Sequence, residues 1–249
     1  MTFFRFSLLL ILFLAAIIPA RADDPSAADT AKIQKIIADY LKAHPEVIID
    51  ALQEYQKKQD AMKADMARQT IAAAKNELLN DATNPVGGNP KGDVTVVEFF
   101  DYRCPYCKAV EGDLQKAISA DGNVRVIYKE FPILGPESIV ASRAALAAVA
   151  QGKYQPFHDK LLAYKGNLDD AAIYTIAGDA GLDVKKLKAD MEKPEVKEQI
   201  GRNYHLADKL NIQGTPAFII GDILLPGASS ADDLAAAFKH ARSSSIGIG

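Results

Sequence analysis

The stretch Val94-Thr-Val-Val-Glu-Phe-Phe-Asp-Tyr-Arg-Cys-Pro-Tyr-Cys107 decides the fold of this chain. Residues 94–100 are β-branched or aromatic at nearly every position, a pattern typical of a strand buried on both faces. After Cys107, apolar residues recur at spacings of three and four, which is the period of an amphipathic helix. The sequence therefore predicts a strand that ends just before two cysteines and a helix that begins at them.

The two cysteines of this stretch have the spacing of a redox site. Cys104 is predicted at the N-cap or first turn of the helix, where unpaired backbone N–H groups and the helix dipole favour a thiolate. We expect Cys104 to be the nucleophile and Cys107 to be the resolving thiol. Pro105 suits the first helical turn because it has no N–H to leave unpaired. Arg103 is expected to add positive charge near the first sulfur.

The number and spacing of cysteines and histidines limit which disulfides and metal sites the chain can form. Both cysteines of the chain lie in this one motif, so no separate structural disulfide can form within the chain. A structural zinc site normally needs four ligands, and the four histidines show no metal-binding spacing. His158 is interpreted as a core or surface residue. We expect no metal and no cofactor, while copper binding by the two thiols stays open.

The N-terminus predicts export. Arg5 precedes an apolar run over residues 8–18, and Ala20-Arg21-Ala22 is a small-x-small cleavage site, so residues 1–22 are predicted to be a signal peptide. The run is shorter than the roughly 20 apolar residues that a membrane span needs. A net charge of −3 argues against a nucleic-acid partner.

Residues 23–82 are predicted to form a helical extension. Apolar residues follow one face of a first helix, and a heptad-like seam runs along a second helix that begins near Pro45. Two interpretations stay open: the stripes pack on the protein's own domain, or they mediate self-association through residues 30–56. Residues 83–93 are rich in Asn, Gly and Pro and predict a linker.

The remaining sequence completes a domain over residues 94–242. A second strand is predicted over 123–131, and residues 137–210 show helical patterns only, which indicates an inserted helical subdomain. Gly221-Asp222 predicts a hairpin that is followed by a last helix, and residues 243–249 are predicted to be a disordered tail. The fold class is therefore α/β.

This combination resembles the DsbA-like branch of thioredoxin-fold thiol-disulfide oxidoreductases. The resemblance is carried by Glu98 six residues before the first cysteine, the Cys104-Pro-Tyr-Cys107 motif, the long helical insertion and Gly214-Thr215-Pro216 before the hairpin. The N-terminal helices followed by this domain look like the periplasmic suppressor-of-copper-sensitivity C proteins and their relatives, some of which are oligomeric isomerases. The resemblance implies a thioredoxin-like fold.

The resemblance also implies residue roles. Pro216 matches the family's cis-proline, and the backbone of Thr215 matches the group that pairs with an extended substrate peptide. Glu98 matches a buried carboxylate that exchanges protons with the second cysteine. Lys129 on the neighbouring strand is expected either to pair with Glu98 or to lie in solvent. Pro105 and Tyr106 are expected to contact substrate.

These expectations describe a periplasmic enzyme that forms or rearranges disulfide bonds in exported, cysteine-containing client proteins and exchanges electrons with a membrane redox partner. Related motifs span reduction potentials from about −270 to −120 mV, so the direction of exchange stays open. The alternatives are an oligomeric isomerase or reductase kept reduced by a membrane donor, and a non-enzymatic copper-binding protein.

Overall fold

The computed structural model describes residues 26–246. The predicted signal peptide, residues 1–22, lies outside the described residues. Among the described helices, none is long and apolar enough to cross a membrane. The chain forms two compact units, which divide between Lys58 and Gln59.

The first unit is helical and carries its apolar side chains on the surface. Helix α1 is Ala27–Ala43, and α2 is Glu46–Ala73, of which the part up to Lys58 belongs to this unit. Ser26 caps α1 by accepting a hydrogen bond from the backbone N–H of Asp29. Several large apolar residues along these helices are each between about half and two thirds exposed, among them Ile33, Ile36, Ile37, Tyr40, Ile48, Leu52 and Tyr55.

The second unit is built on a five-stranded mixed sheet in the order β1-β3-β2-β4-β5. Its strands are β1 Val86–Gly88, β2 Val94–Phe100, β3 Val124–Glu130, β4 Ala217–Ile220 and β5 Ile223–Pro226. The central strand β2 is parallel to its neighbour β3, and every other neighbouring pair is antiparallel. The α/β class expected from the sequence is confirmed.

Strand β2 is buried on both faces because each face meets a different hydrophobic core. Val96 and Phe100 pack into the core that contains the helix after the cysteines. Val97 and Phe99 pack into the core on the other side of the sheet. Since side chains alternate along a strand, Glu98 belongs to the same face as Val96 and Phe100. That placement brings an acid to the cysteine side of the sheet.

Helices cover both faces of this sheet. The described helices of the second unit, after α2, are α3 Lys75–Leu79, α4 Pro105–Asp121, α5 Pro136–Ala148, α6 Tyr154–Ala163, α7 Asp170–Asp179, α8 Val184–Met191, α9 Pro194–Lys209 and α10 Ala231–Ile246. Helices α4 and α10 pack against each other, and α5 packs against each of α6 to α9. The stretch 137–210 is thus a helical layer inserted between β3 and β4.

Three predicted boundaries need correction. The predicted linker 83–93 contains β1, which pairs with β3 because its backbone N–H and C=O groups complete the edge of the sheet. The C-terminal part of the predicted extension 23–82 belongs to the second unit. Ile71 and Leu78 are buried in the core that α3 forms against the sheet. The predicted tail 243–249 continues α10 as far as Ile246, and residues 247–249 lie outside the described residues.

Candidate active site

The first cysteine occupies the corner between β2 and α4. Cys104 is the N-cap residue of α4, with extended backbone, and Pro105 follows at the first helical position. No side-chain oxygen caps this helix, so the first-turn N–H groups remain available to an anion near the sulfur. Sγ of Cys104 donates a hydrogen bond to the carbonyl oxygen of Thr215 at 3.2 Å. The peptide bond between Thr215 and Pro216 is cis.

The second cysteine is buried one turn into α4. Only 1% of Cys107 is exposed. Burial raises the pKa of the Cys107 thiol, and the charges of Cys104 and Glu98 raise it further. The thiolate form of Cys107 is therefore disfavoured, and any reaction that releases this sulfur as a thiolate needs a proton nearby.

Glu98 is an acid in the same core. It is fully buried, and neither of its carboxylate oxygens has a hydrogen-bond partner among the described residues. Burial raises its pKa well above the usual value, and the negative charges of Glu111 and Glu130 act in the same direction. The protonated form of Glu98 is thus favoured, which suits a group that gives a proton to Cys107.

Both expectations for Lys129 are wrong. In the parallel register Glu98 lies opposite Tyr128, and Lys129 lies opposite Phe99, so Lys129 projects from the other face of the sheet. Its side chain is 1% exposed, and its Nζ donates to the carbonyl oxygen of Glu77 at 2.9 Å. Burial lowers the pKa of Lys129 to about 8.

Arg103, which was expected to add positive charge near the first sulfur, makes its hydrogen bonds to neighbouring elements. Its guanidinium donates to the Glu137 carboxylate at 2.7 Å and to the carbonyl oxygen of Leu134 at 2.8 Å. The guanidinium of Arg103 therefore links the turn after β2 to the loop after β3 and to the start of α5.

Asp101 organises this corner, although it was not among the site residues expected from the sequence. Its buried carboxylate accepts hydrogen bonds from the backbone N–H groups of Arg103, Ile133 and Leu134 and from the hydroxyl of Ser138, at 2.7–2.9 Å. Its carbonyl oxygen accepts from the N–H of Cys104 at 3.0 Å. A sequence signal was present, because an Asp at a strand end often bonds to the backbone N–H two residues later.

The residues expected to contact substrate lie at the rim. Tyr106 is 65% exposed, and Pro105 is exposed beside it. Thr215 is partly exposed and lines a pocket with Pro216 and Leu224. The residues that follow Cys104 are therefore accessible to a substrate, although Cys104 itself is nearly buried.

The core that contains the cysteines also holds a hydrogen-bonded cluster of buried polar side chains. The hydroxyl groups of Tyr102 and Tyr154 both donate to Oε1 of Glu130 at 2.9 Å, and Nδ1 of His158 lies 3.0 Å from the Tyr102 oxygen. Burial raises the pKa of Glu130 to about 8 and lowers that of His158 to about 3. His158 also lies close to Glu111 and Asp159, and the three side chains together could bind a metal ion. Sequence spacing carried no signal for this cluster.

Comparison with known proteins agrees with this geometry. Residues 95–239 match the model of the DSBA-like thioredoxin domain, and residues 29–61 match that of the copper resistance protein ScsC N-terminal domain. A thioredoxin-like oxidoreductase from Silicibacter pomeroyi DSS-3 is 47% identical, with a TM-score of 0.67, covering 68% of this chain and 98% of its own. Proteus mirabilis ScsC in a transitional conformation is 33% identical, with a TM-score of 0.66. The match covers 88% of this chain and 100% of the ScsC chain.

Curated relatives extend the comparison. Disulfide bond formation protein D of Bacillus subtilis (strain 168) is 29% identical over 183 residues, which are 64% of this chain and 81% of that protein. The curated relatives matched first are Na⁺/H⁺ antiporters of Salinispora, and the chain spans 24% of their length. The resemblance noted from the sequence, including the suppressor-of-copper-sensitivity C branch, is confirmed, and the chain belongs to the DSBA-like thioredoxin domain family.

Proposed function

We propose that this protein is a periplasmic thiol-disulfide oxidoreductase that forms or rearranges disulfide bonds in exported client proteins. One observation carries the proposal. Cys104 lies at the N-terminus of α4 against the carbonyl oxygen of Thr215, next to the cis bond to Pro216, while Cys107 is buried behind it. A reactive sulfur at a helix N-terminus with a covered partner is the arrangement that thiol-disulfide exchange requires.

In the oxidising direction, a client thiolate attacks Sγ of Cys104 in the Cys104–Cys107 disulfide. The S–S bond breaks, its electron pair goes to Sγ of Cys107, and that sulfur takes a proton. A second client thiolate then attacks the client sulfur of the mixed disulfide, and Cys104 leaves as a thiolate. The client loses two electrons and the protein gains them. The reverse sequence reduces a client.

Glu98 is the proposed proton donor and acceptor for Cys107. Its burial and its raised pKa favour a neutral acid in the core that also holds Cys107. When Cys107 leaves as a thiolate in this low-dielectric site, the nearby acid supplies the proton that the buried sulfur cannot take from water.

Substrate binding is proposed at the rim of the site. The backbone of Thr215 offers hydrogen-bonding groups to an extended client segment, and the exposed rings of Pro105 and Tyr106 offer apolar contact. Recognition through the backbone favours unfolded clients of many sequences. We propose that the signal peptide is cleaved, that the mature protein works in the periplasm, and that a membrane protein restores its redox state.

An isomerase or reductase is the second candidate, favoured by the first unit. Its exposed apolar stripe and the match of residues 29–61 to the ScsC N-terminal domain support self-association through residues 30–56. Several sites facing one client raise the local thiol concentration, which helps a wrong disulfide to be attacked again. Copper binding by the two thiols is the non-enzymatic alternative, and it predicts metal binding without turnover.

The proposal is tested by measuring the reduction potential against glutathione together with refolding of a reduced and a scrambled disulfide protein. Cys107→Ala is expected to accumulate mixed disulfides with clients, because the second thiol that would release them is absent. Cys104→Ala is the matched control and is expected to trap none. A wild-type protein that refolds neither substrate, or trapping that is equal in both variants, would overturn the proposal.

A further inference from the structure

Three side chains outside the cysteine motif form a group of potential metal ligands. Glu111 on α4 and His158 and Asp159 on α6 each offer one donor atom, and these atoms lie within 4.8 Å of one another. The helices α4 and α6 that carry them are in contact. An imidazole nitrogen with two carboxylate oxygens is a donor set that suits Zn²⁺ and similar divalent transition ions.

The hydrogen bonds of His158 leave one ring nitrogen free for a ligand. Tyr102 has a single hydroxyl proton, which it donates to Oε1 of Glu130 at 2.9 Å. The Tyr102 oxygen, 3.0 Å from Nδ1 of His158, then accepts the Nδ1–H, so Nε2 carries the lone pair. Nε2 is buried and has no hydrogen-bond partner among the described residues. Burial also keeps the ring neutral.

The two carboxylates are oriented in a similar way. Oε1 of Glu111 accepts from Gln115 at 2.9 Å, whereas its Oε2 is buried and has no partner within the described chain. Oδ1 of Asp159 accepts from Gln155 at 2.7 Å, which leaves Oδ2. Three acceptors therefore converge with no donor among them. Nε2 of His158 and Oε2 of Glu111 are buried acceptors without partners, which is costly, and a cation that also binds the exposed Asp159 would compensate both.

We propose that His158, Glu111 and Asp159 bind one divalent transition-metal ion of the Zn²⁺ class, through Nε2 and one oxygen of each carboxylate, with water in the fourth position. Ligand atoms of a tetrahedral zinc site are about 3.4 Å apart. Closing from 4.8 Å therefore requires shifts of roughly 1 Å, which the partly exposed Glu111 and the exposed Asp159 can make by small side-chain rotations within their present rotamers. The hydrogen bond that His158 donates to Tyr102, and those that Gln115 and Gln155 donate to the two carboxylates, orient the three ligands.

The test uses the full protein with Cys104 and Cys107 joined in a disulfide, so that the thiols cannot bind metal. Calorimetric titration with ZnCl₂ is expected to give one Zn²⁺ per chain. Glu111→Gln and Asp159→Asn are each expected to weaken binding about tenfold or more, the scale on which metal sites respond to lost ligand interactions. Asp113→Asn, an exposed carboxylate on the same helix as Glu111, is the matched control and is expected to bind as the wild type does.

Because replacing the buried His158 can unfold the protein, its role is tested without mutation. Nitrogen-15 NMR of histidine-labelled protein is expected to show the Nε2 resonance of one buried histidine shifting on addition of ZnCl₂, and the shift is expected to persist in His205→Ala, which lacks an exposed histidine. Absence of Zn²⁺ binding by the oxidised protein, equal affinity in Glu111→Gln and Asp113→Asn, or a titration that moves only exposed histidines would overturn the proposal.

Discussion

At the scale of single residues, two buried ionisable groups on opposite faces of the sheet differ in their hydrogen bonding. Glu98 faces the core of the cysteines, has no hydrogen-bond partner among the described residues and favours its neutral form. Lys129 faces the other core and donates to the carbonyl oxygen of Glu77. A buried charge is costly unless it is paired, so each group makes the stability of the protein depend on pH.

Glu98→Gln is expected to slow the exchange step in which Cys107 gains or loses a proton, and to change stability with pH. Because the folded-state pKa lies above the usual 4.5, the folded protein binds more protons, and the wild type loses stability as the pH rises from about 4.5 through the raised pKa. The variant lacks this loss. Urea unfolding over that pH range and stopped-flow exchange measure the two effects.

Glu195→Gln, at an exposed glutamate, is the matched control and is expected to follow the wild type in both measurements. If the pH profile of exchange is the same in Glu98→Gln as in the wild type, Glu98 has a structural role only.

Lys129→Met is expected to remove an opposite pH dependence. The folded-state pKa of about 8 lies below the usual 10.5, so the unfolded chain binds more protons between these values and the wild type gains stability as the pH rises through them. The slope from this one group is at most about 1.4 kcal/mol per pH unit. The difference between wild type and variant in urea unfolding measures it, with Lys185→Met as the exposed control. Parallel curves would contradict the burial of a titrating amine.

At the scale of the elements, the corner from β2 to α4 depends on Asp101. One carboxylate holds the first residues after the strand, the loop after β3 and the start of α5 together. The carbonyl oxygen of Leu134 in that loop accepts a hydrogen bond from the guanidinium of Arg103. The position of Cys104 therefore depends on contacts between elements as well as on the helix that it begins.

Asp101→Ala is expected to lower the free energy of unfolding by about 3 kcal/mol or more, since three partly buried N–H groups and the buried Ser138 hydroxyl lose their acceptor at about 1–3 kcal/mol each. Ser138→Ala removes only one donor to the same carboxylate and is expected to cost about 1 kcal/mol. Urea unfolding of both variants gives the comparison. Equal costs would mean that solvent replaces the lost acceptor.

At the scale of the whole molecule, the two compact units differ in whether their apolar residues are buried. The second unit buries them in two cores on the two faces of its sheet. In the first unit, α1 has no buried residue, although isoleucines recur along it. A contiguous exposed apolar stripe is a common feature of surfaces that associate with another chain.

The mature protein is therefore expected to self-associate through residues 30–56, because association removes this stripe from water. Deleting the segment is expected to produce a monomer that still exchanges thiols but loses isomerase activity and gains oxidase character. Sedimentation analysis of both proteins and the scrambled-disulfide assay measure these outcomes. A monomeric intact protein at tens of micromolar would contradict the prediction and leave a monomeric oxidase.

Local patterns in the sequence determined the catalytic framework. The continuous β-branched and aromatic run predicted β2, the change to helical spacing predicted α4, and Cys104 is the N-cap residue as expected. The cis bond before Pro216 was expected only through the family resemblance, since most X–Pro bonds are trans. These features are readable because hydrophobic periodicity and helix capping act over a few neighbouring residues.

The tertiary structure alone decided which distant side chains meet. The pairing of β1 with β3 made the predicted linker part of the sheet, and the parallel register turned Lys129 away from Glu98. The cluster of Tyr102, Glu130 and His158 joins residues from three elements. No local spacing encodes such contacts, because they depend on how strands pair and how helices pack across the sheet, and these arrangements follow from burying the apolar surface of the whole domain.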